Sequence, residues 1–153
     1  MLYGPLNGDE DHAEPGSPLA ALSLFYRGFN QRDLGTVAQS WAPADDIVMD
    51  NPLGGVKRGW EEIEAVYRRI FQGSARVYVE FYDFTLWRGA GMFWAAGRER
   101  GELLTDDARL PLAIRTSRVF QLVDGRWRQV HHHGSIDDPQ QLAAYQDAMS
   151  GRR

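Results

Sequence analysis

The last third of the chain contains three consecutive histidines, His131, His132 and His133, within the stretch RWRQVHHHGSIDD. Histidine is a common metal ligand, and it is also the side chain whose ordinary pKa lies closest to neutral pH. The run could therefore bind a metal ion, transfer a proton, or belong to a strand whose faces meet water. The fourth histidine of the chain, His12, lies in a polar N-terminal segment.

Alternation along a β-strand separates these histidines. Successive side chains of a strand point to opposite faces, so His132 should face a pocket while Gln129, His131 and His133 share the other face. His132 is then a candidate general acid or base, and the alternative is a half-buried histidine hydrogen-bonded to its neighbours. A zinc site needs three or four convergent ligands, and two histidines at i, i+2 supply only part of one. We therefore predict no metal and no cofactor.

Two arginines lie on apolar rows of predicted strands. Arg118 alternates in phase with Leu112, Ile114, Phe120 and Leu122, and Arg98 with Met92, Trp94 and Ala96. A charge on a row that faces the core needs either a partner or a cavity, because burial of an unpaired charge is costly. Arg98 and Arg118 are therefore candidates for holding a carboxylate ligand. The alternative is that each pairs with Glu80, Asp83, Glu99 or Glu102, or extends to the rim.

Helices come first in the predicted order of elements, and strands follow. Residues 1–17 are rich in Gly, Pro, Asp and Glu and should form a flexible leader. Helical spacing predicts a helix from Pro18 to about Arg32, a second over residues 33–41, and a third in WEEIEAVYRRIF. A short strand in DDIVMDNP and four long strands between residues 76 and 136 complete the pattern. We predict one α+β domain over residues 18–137, with a C-terminal helix or tail over residues 138–153.

Composition excludes several classes of protein. The 153 residues include 43% hydrophobic side chains, enough for one packed domain. The net charge of −4 provides no basic surface, so we predict no nucleic-acid partner. The absence of cysteine excludes disulfides and thiolate chemistry. The N-terminus does not resemble a signal peptide, and no apolar run approaches the roughly 18 residues of a membrane span. We therefore expect no membrane partner and a cytoplasmic location.

Several strings in the chain resemble the nuclear-transport-factor-2-like superfamily, also called SnoaL-like or ketosteroid-isomerase-like. FNQRDLGTVAQSW is similar to the family's helical opening, and MDNPLGGVKRGWEEI to its strand, turn and third helix. The resemblance covers roughly residues 18–137. It implies a cone, in which a strongly bent antiparallel sheet wraps around a long helix and leaves an apolar pocket between them. The expected pocket-lining residues are Asn51, Trp60, Ile63, Tyr67, Phe71 and Trp94.

The C-terminal string TSRVFQLVDGRWRQVHHHGS is similar to the association domains of the calcium/calmodulin-dependent kinase II family. The matching residues are Arg118, Asp124, Gly125, Trp127, Val130, His131, His133 and Ser135. This resemblance implies that Arg98 and Arg118 line a pocket that accepts small carboxylates, although a further pocket arginine of that family corresponds to Gly134. The superfamily also implies a homodimer through the convex sheet face, on which we placed Gln129, His131 and His133.

The site of ketosteroid isomerases is altered in this chain. Those enzymes use an aspartate base with a tyrosine and a protonated aspartate. The base position holds Asn51, the tyrosine position falls near Phe25, and the second aspartate position falls near Arg118. We predict a protein that binds a small organic acid or related metabolite in an apolar pocket with a cationic end. One alternative is an isomerase, cyclase or dehydratase that uses His132, or Asp50 if the turn rotates it inward. Another is an oligomerisation hub without activity.

Overall fold

A computed structural model describes residues 3–11 and 13–151, so His12 and the two residues at each end of the chain lie outside the described residues. Its helices are α1 (Pro18–Asn30), α2 (Leu34–Ser40), α3 (Gly59–Gln72) and α4 (Pro139–Ser150). Its strands are β1 (Val48–Asp50), β2 (Lys57–Arg58), β3 (Arg76–Gly89), β4 (Met92–Leu104), β5 (Arg109–Val123) and β6 (Arg126–Ile136). Within the described ranges, no helix is both long and apolar enough to cross a membrane.

The six strands form one sheet in the order β2-β1-β6-β5-β4-β3. Strands β3 to β6 make the antiparallel meander predicted from the sequence, while the short β1 pairs in parallel with β6. Helices α1 and α3 pack with the inner face of the sheet around one apolar core. The α+β class and the cone architecture are thus confirmed.

Side chains fix the ends of the helices. Ser17 caps α1 by accepting a hydrogen bond from the Ala20 N–H at 3.2 Å, and Asp33 caps α2 in the same way. Arg32, which adopts φ +56°, holds the end of α3. Its guanidinium donates to the backbone carbonyls of Phe71, Gly73 and Ala75. The connection between α1 and α2 therefore fixes the C-terminal end of α3.

Two glycines and a bulge allow the sheet to bend where β3 meets β4. Asp83 and Phe84 of β3 together lie opposite Gly97, and a Cβ on Gly97 would lie 2.5 Å from that of Phe84. A Cβ on Gly101 would lie 1.9 Å from the carbonyl oxygen of Tyr78, so the backbone of β3 approaches β4 too closely for a side chain at this point. Side chains are excluded at both positions, so the GRERG segment permits the curvature of the cone.

A second bulge changes the alternation of β6. The register with β5 shifts between Val119 and Phe120, which leaves Val130 as the extra residue of β6. As a result both Gln129 and His132 point inward, although they are three positions apart and strict alternation would place them on opposite faces. Gln129 is fully buried, so its predicted place on the outer face was wrong. The prediction failed because simple alternation has no means of locating a bulge.

Part of the N-terminal segment packs against the domain. Leu6 is buried and pairs with Phe81 of β3, each backbone N–H donating to the other's carbonyl at 2.8 Å. Arg27 of α1 donates to the carbonyl of Gly8 at 2.9 Å. The sequence predicted that residues 1–17 form a flexible leader with almost nothing to bury. The residues around Leu6 are instead anchored to β3, because the Leu6 side chain is buried and its backbone is hydrogen-bonded to Phe81.

Candidate functional site

The inner face of the sheet, α1, α3 and α4 surround a cavity of about 40 Å³. It has room for roughly three water molecules, or for a ligand of similar size. Its wall is mainly apolar, with polar groups concentrated on β4, β5 and β6. The lining residues are Phe25, Phe29, Met49, Asn51, Pro52, Tyr67, Ile70, Val77, Val79, Glu99, Ile114, Arg118, His132 and Tyr145.

Arg118 is the centre of a buried hydrogen-bond network beside this cavity. Its side chain is 3% exposed, and its Nε donates to the Tyr26 hydroxyl at 3.2 Å. One terminal nitrogen donates to Gln129 at 2.7 Å, and the other lies 3.4 Å from a carboxylate oxygen of Glu99. The Tyr26 hydroxyl in turn donates to the same Glu99 oxygen at 3.3 Å. Arg118 is thus held in one orientation by three different side chains.

The charge of Arg118 is balanced inside the protein. Glu99 is the facing carboxylate, with a side chain 7% exposed, and the guanidinium also lies 3.8 Å above the ring of Phe25. Burial by itself would lower the pKa of Arg118, but the nearby Tyr26 and Glu99 raise it above its ordinary value. The site therefore contains one positive and one negative charge, and its net charge is zero rather than cationic.

His132 lies directly across from Arg118 on the neighbouring strand and lines the same cavity. Its Nδ1 is 3.3 Å from the backbone carbonyl of Ser117. A carbonyl can only accept, so in this contact Nδ1 carries the proton and Nε2 of the neutral ring carries a lone pair. Burial, and then the charge of Arg118, hold the pKa of His132 well below its ordinary value. His132 is therefore neutral at pH 7 and is a hydrogen-bond acceptor or a base.

Tyr67 and Asn51 are the other predicted site residues that line the cavity. Burial raises the pKa of Tyr67 to about 12, so its hydroxyl remains a hydrogen-bond donor at neutral pH. The Asn51 side chain accepts a hydrogen bond from the Leu53 N–H at 3.1 Å, which fixes the turn after β1. The cavity therefore presents donors from Arg118 and Tyr67 and an acceptor on His132.

Asp50 lies on the outer face of the sheet, away from the cavity. Its carboxylate is 2.6 Å from Nδ1 of His133 and 3.8 Å from Nε2 of His131. The proposal that Asp50 could turn inward as the base is therefore corrected, because β1 pairs in register with β6 and keeps strand alternation. Although Asp50 approaches two histidines, residues 3–11 and 13–151 contain no group of three ligating side chains arranged for a metal ion.

Arg98 and Trp94 also lie on the outer face, contrary to the prediction. Arg98 is 59% exposed and its Nε is 3.1 Å from Asp83, while Trp94 stacks on Trp87 with ring centroids 6.3 Å apart. The inward row of β4 consists of its odd-numbered residues, including Glu99. Arg98 therefore pairs with a nearby carboxylate, which was the alternative considered from the sequence.

Three further predicted residues are at other places in the core. Ile63 is completely buried, whereas Trp60 and Phe71 are partly buried against the core cluster. In the part of the chain that the structure describes, none of the three lines the cavity. Aromatic and branched residues on a helix stripe serve packing as readily as ligand binding, and the stripe itself does not distinguish the two.

Among the polar lining residues, Tyr145 was not predicted, and Glu99 was named only as a possible partner of the arginines, which is the contact that it makes with Arg118. The register of β4 with β5 places Glu99 on the inner face. Arg118 lies opposite Ala95, cross-strand partners share a face, and Glu99 lies on the same row of β4 as Ala95. Both rows of β4 begin with apolar residues, so composition did not show that the odd-numbered row, rather than the even-numbered one, faces inward. Tyr145 has no comparable signal, since its place depends on where α4 returns to the cone.

Comparison with known proteins gives one family and a consistent fold. The family model described as SnoaL-like domain matches residues 19–139. A Thiobacillus denitrificans protein described as a calcium/calmodulin-dependent protein kinase type II association domain is 26% identical, with a TM-score of 0.69. The match covers 80% of this chain and 96% of that one.

Two more distant structures share the fold. One, from Streptomyces avermitilis, is described as a dehydratase of the nuclear-transport-factor-2-like family; it is 20% identical, with a TM-score of 0.66, and the match covers 76% of this chain and 90% of that one. The other is a ketosteroid-isomerase-like protein from Erwinia carotovora, 19% identical with a TM-score of 0.65, over 78% and 93% of the two chains. No curated protein matches the chain in sequence.

Proposed function

The chain belongs to the SnoaL-like domain family, and on that premise we propose that it binds a small uncharged molecule in the cavity between Arg118 and His132. The observation that carries this proposal is the pairing of a fixed donor with a fixed acceptor. Arg118 would donate to a ligand oxygen, and Nε2 of His132 would accept from a hydroxyl or amide of the same ligand. Such a ligand needs both groups on neighbouring atoms.

Charge balance favours an uncharged ligand over the organic acid predicted from the sequence. Glu99 already neutralises Arg118, and Arg98, the second predicted cation, lies outside the cavity. A carboxylate in the cavity would add a second negative charge beside Glu99 and would lose its hydration without a new positive partner. A carboxylate oxygen next to His132 would also face the lone pair of Nε2, which cannot donate a hydrogen bond to it.

Acetamide and acetate test this choice, because they have the same shape and differ in charge and in the donor. We expect acetamide to shift the ring nitrogen resonances of His132 at roughly millimolar concentrations, since four heavy atoms provide little binding energy. Acetate at equal concentration and pH 7 should leave them unchanged. The measurement is a nitrogen NMR titration of the histidine side chains.

The control variant is His133→Leu. It changes an exposed ring on the outer face and should preserve the response of the His132 resonances to acetamide. A stronger response to acetate than to acetamide would show that the cavity is an acid site and would refute the uncharged ligand.

The same geometry supports proton transfer as a second candidate function. The Nε2 lone pair of His132 can take a proton from a bound molecule, and the neighbouring Arg118 and Tyr67 can donate to the oxygen on which negative charge develops. Asp50 has no part in this scheme because it lies on the opposite face.

We further propose a homodimer through the outer sheet face, as the resemblance implied. An outer apolar cluster there consists of Trp87, Met92, Trp94, Ala96 and Val119. Trp87 is 46% exposed, and the other four residues are partly exposed. His131 lies beside Val119 in the same cross-strand row. Contiguous exposed apolar groups of this kind are typical of interfaces. The buried Gln129 has no part in this surface.

Sedimentation velocity tests the dimer. Trp87→Lys should convert the protein to a monomer, because it places a charge within the proposed apolar contact. Leu122→Lys is the matched control, since Leu122 is 48% exposed and lies outside the cluster, and this variant should remain dimeric. A wild-type protein that sediments as a monomer at micromolar concentration would contradict the proposal.

A further inference from the structure

Helix α4 covers one side of the cavity with a single fully inserted side chain. Tyr145 is its buried residue, whereas Leu142, Ala148 and Met149 are only partly buried against the core. The Tyr145 side chain is 5% exposed and lines the cavity together with Arg118 and His132. Its phenol therefore occupies space that would otherwise extend the cavity towards α4.

The surroundings of Tyr145 combine polar and aromatic groups. Burial, followed by the nearby Glu99 and Tyr67, raises the pKa of its hydroxyl, which stays protonated at neutral pH. The aromatic rings of Phe25, Phe29 and Tyr67 line the same cavity. This part of the protein thus accommodates a hydroxylated aromatic ring, which is the side chain of Tyr145 itself.

The side-chain hydrogen bonds that attach α4 to the rest of the domain are exposed to solvent. Gln146 donates from its side chain to the Pro52 carbonyl at 3.0 Å, and Gln141 accepts from the Ala113 N–H at 3.0 Å. Both contacts join one side chain to one backbone group, and both lie at the surface. By contrast, strands β3 to β6 are joined by continuous ladders. Helix α4 can therefore move without disruption of the sheet.

We propose that Tyr145 fills the outer part of the ligand site, and that a ligand carrying a hydroxylated aromatic ring displaces it together with α4. This inference rests on the proposed function, since it extends the same cavity. It explains how a site with room for roughly three waters admits a larger molecule: the ligand's ring replaces the phenol of Tyr145. The polar end of that ligand would then reach Arg118 and His132.

Phenol and the variant Tyr145→Ala test whether the side chain occupies a ligand site. The substitution removes the phenol group and leaves the Cβ, so added phenol should bind in the vacated space and raise the melting temperature of the variant in a saturable way. Wild-type protein should bind phenol at least ten times more weakly, because its own ring competes. Benzene should bind the variant more weakly than phenol, since it lacks the hydroxyl.

Leu142→Ala is the matched control, because it shortens a partly buried side chain of the same helix. It should not bind phenol more tightly than the wild type does. If Tyr145→Ala unfolds cooperatively yet shows no saturable phenol binding, the inference is wrong. Equal phenol binding by Leu142→Ala and Tyr145→Ala would also overturn it.

Gln146→Ala tests the displacement of α4. This exposed variant loses the hydrogen bond to Pro52, so α4 should open more often and phenol should bind it several-fold more tightly than wild type. Gln140→Ala, exposed at the start of the same helix, should behave as wild type. Unchanged phenol affinity in Gln146→Ala would refute the displacement. The acetamide titration tests the proposed function separately. If the wild-type protein binds acetamide but Tyr145→Ala does not bind phenol, this inference is refuted and the proposed function remains intact.

Discussion

Replacement of Arg118 by methionine should lower the free energy of unfolding by about 3–5 kcal/mol, because it leaves Glu99 in the interior without its cation. Tyr26 and Gln129 would lose a partner in the same step. Urea denaturation monitored by tryptophan fluorescence measures this loss. The double variant Arg118→Met/Glu99→Leu should recover much of the stability, because two apolar side chains then replace the buried pair.

Arg98→Met is the control for this experiment. Arg98 also pairs with a carboxylate, Asp83, but both side chains are more than half exposed, and such pairs contribute about 0–1 kcal/mol. The two variants thus compare the same chemical change inside and outside the cone. If Arg118→Met were no more destabilising than Arg98→Met, or if the double variant recovered nothing, the buried network would not be the stabilising unit described above.

Gly101→Ala should strongly destabilise the sheet. The new Cβ would lie 1.9 Å from the Tyr78 carbonyl oxygen, so the backbones of β3 and β4 must separate. Overpacking of this kind costs about 1–3 kcal/mol, and more where the obstructing atom belongs to the backbone. We expect a loss at the upper end of that range, measured by the same denaturation experiment.

Gly35→Ala provides a control of opposite sign. Gly35 lies in the first turn of α2, where a Cβ would meet only the Asp33 carboxylate at an ordinary 3.4 Å. Alanine is favoured over glycine at helical positions, by about 1 kcal/mol in a helix interior, so this variant should gain a fraction of that amount. A result in which both glycine variants changed stability equally would mean that the bend of the sheet does not depend on Gly101.

The sequence was sufficient to predict the fold and only part of the site. Helical spacing predicted the helices, and alternation in β5 placed Arg118 on the inner face, where the structure has it. These signals are local, and each depends on residues within one helix or strand. The resemblance to the SnoaL-like superfamily added the cone, which the family match and the structural neighbours confirm.

Errors arose where one strand must be aligned with another. Strand β4 is apolar on both rows, so only its register with β5 shows that Glu99, and not Arg98, faces Arg118. The bulge at Val130 reverses the alternation of β6 and brings Gln129 inside, which no spacing rule in the sequence indicates. Bulges and register are properties of two strands together, and they decide which polar side chains converge.

The parallel pairing of β1 with β6 has a consequence for the order of folding. Asp50 and His133, which face each other across this pair, are 83 residues apart in sequence, whereas the hairpins of the meander join near neighbours. Long-range pairings form later because a large loop must close first. Met49, Asn51 and Pro52 belong to this late segment and also form one side of the cavity. The meander of β3 to β6 can therefore form before the cavity is complete, and partial unfolding that releases β1 should open the cavity while the meander persists.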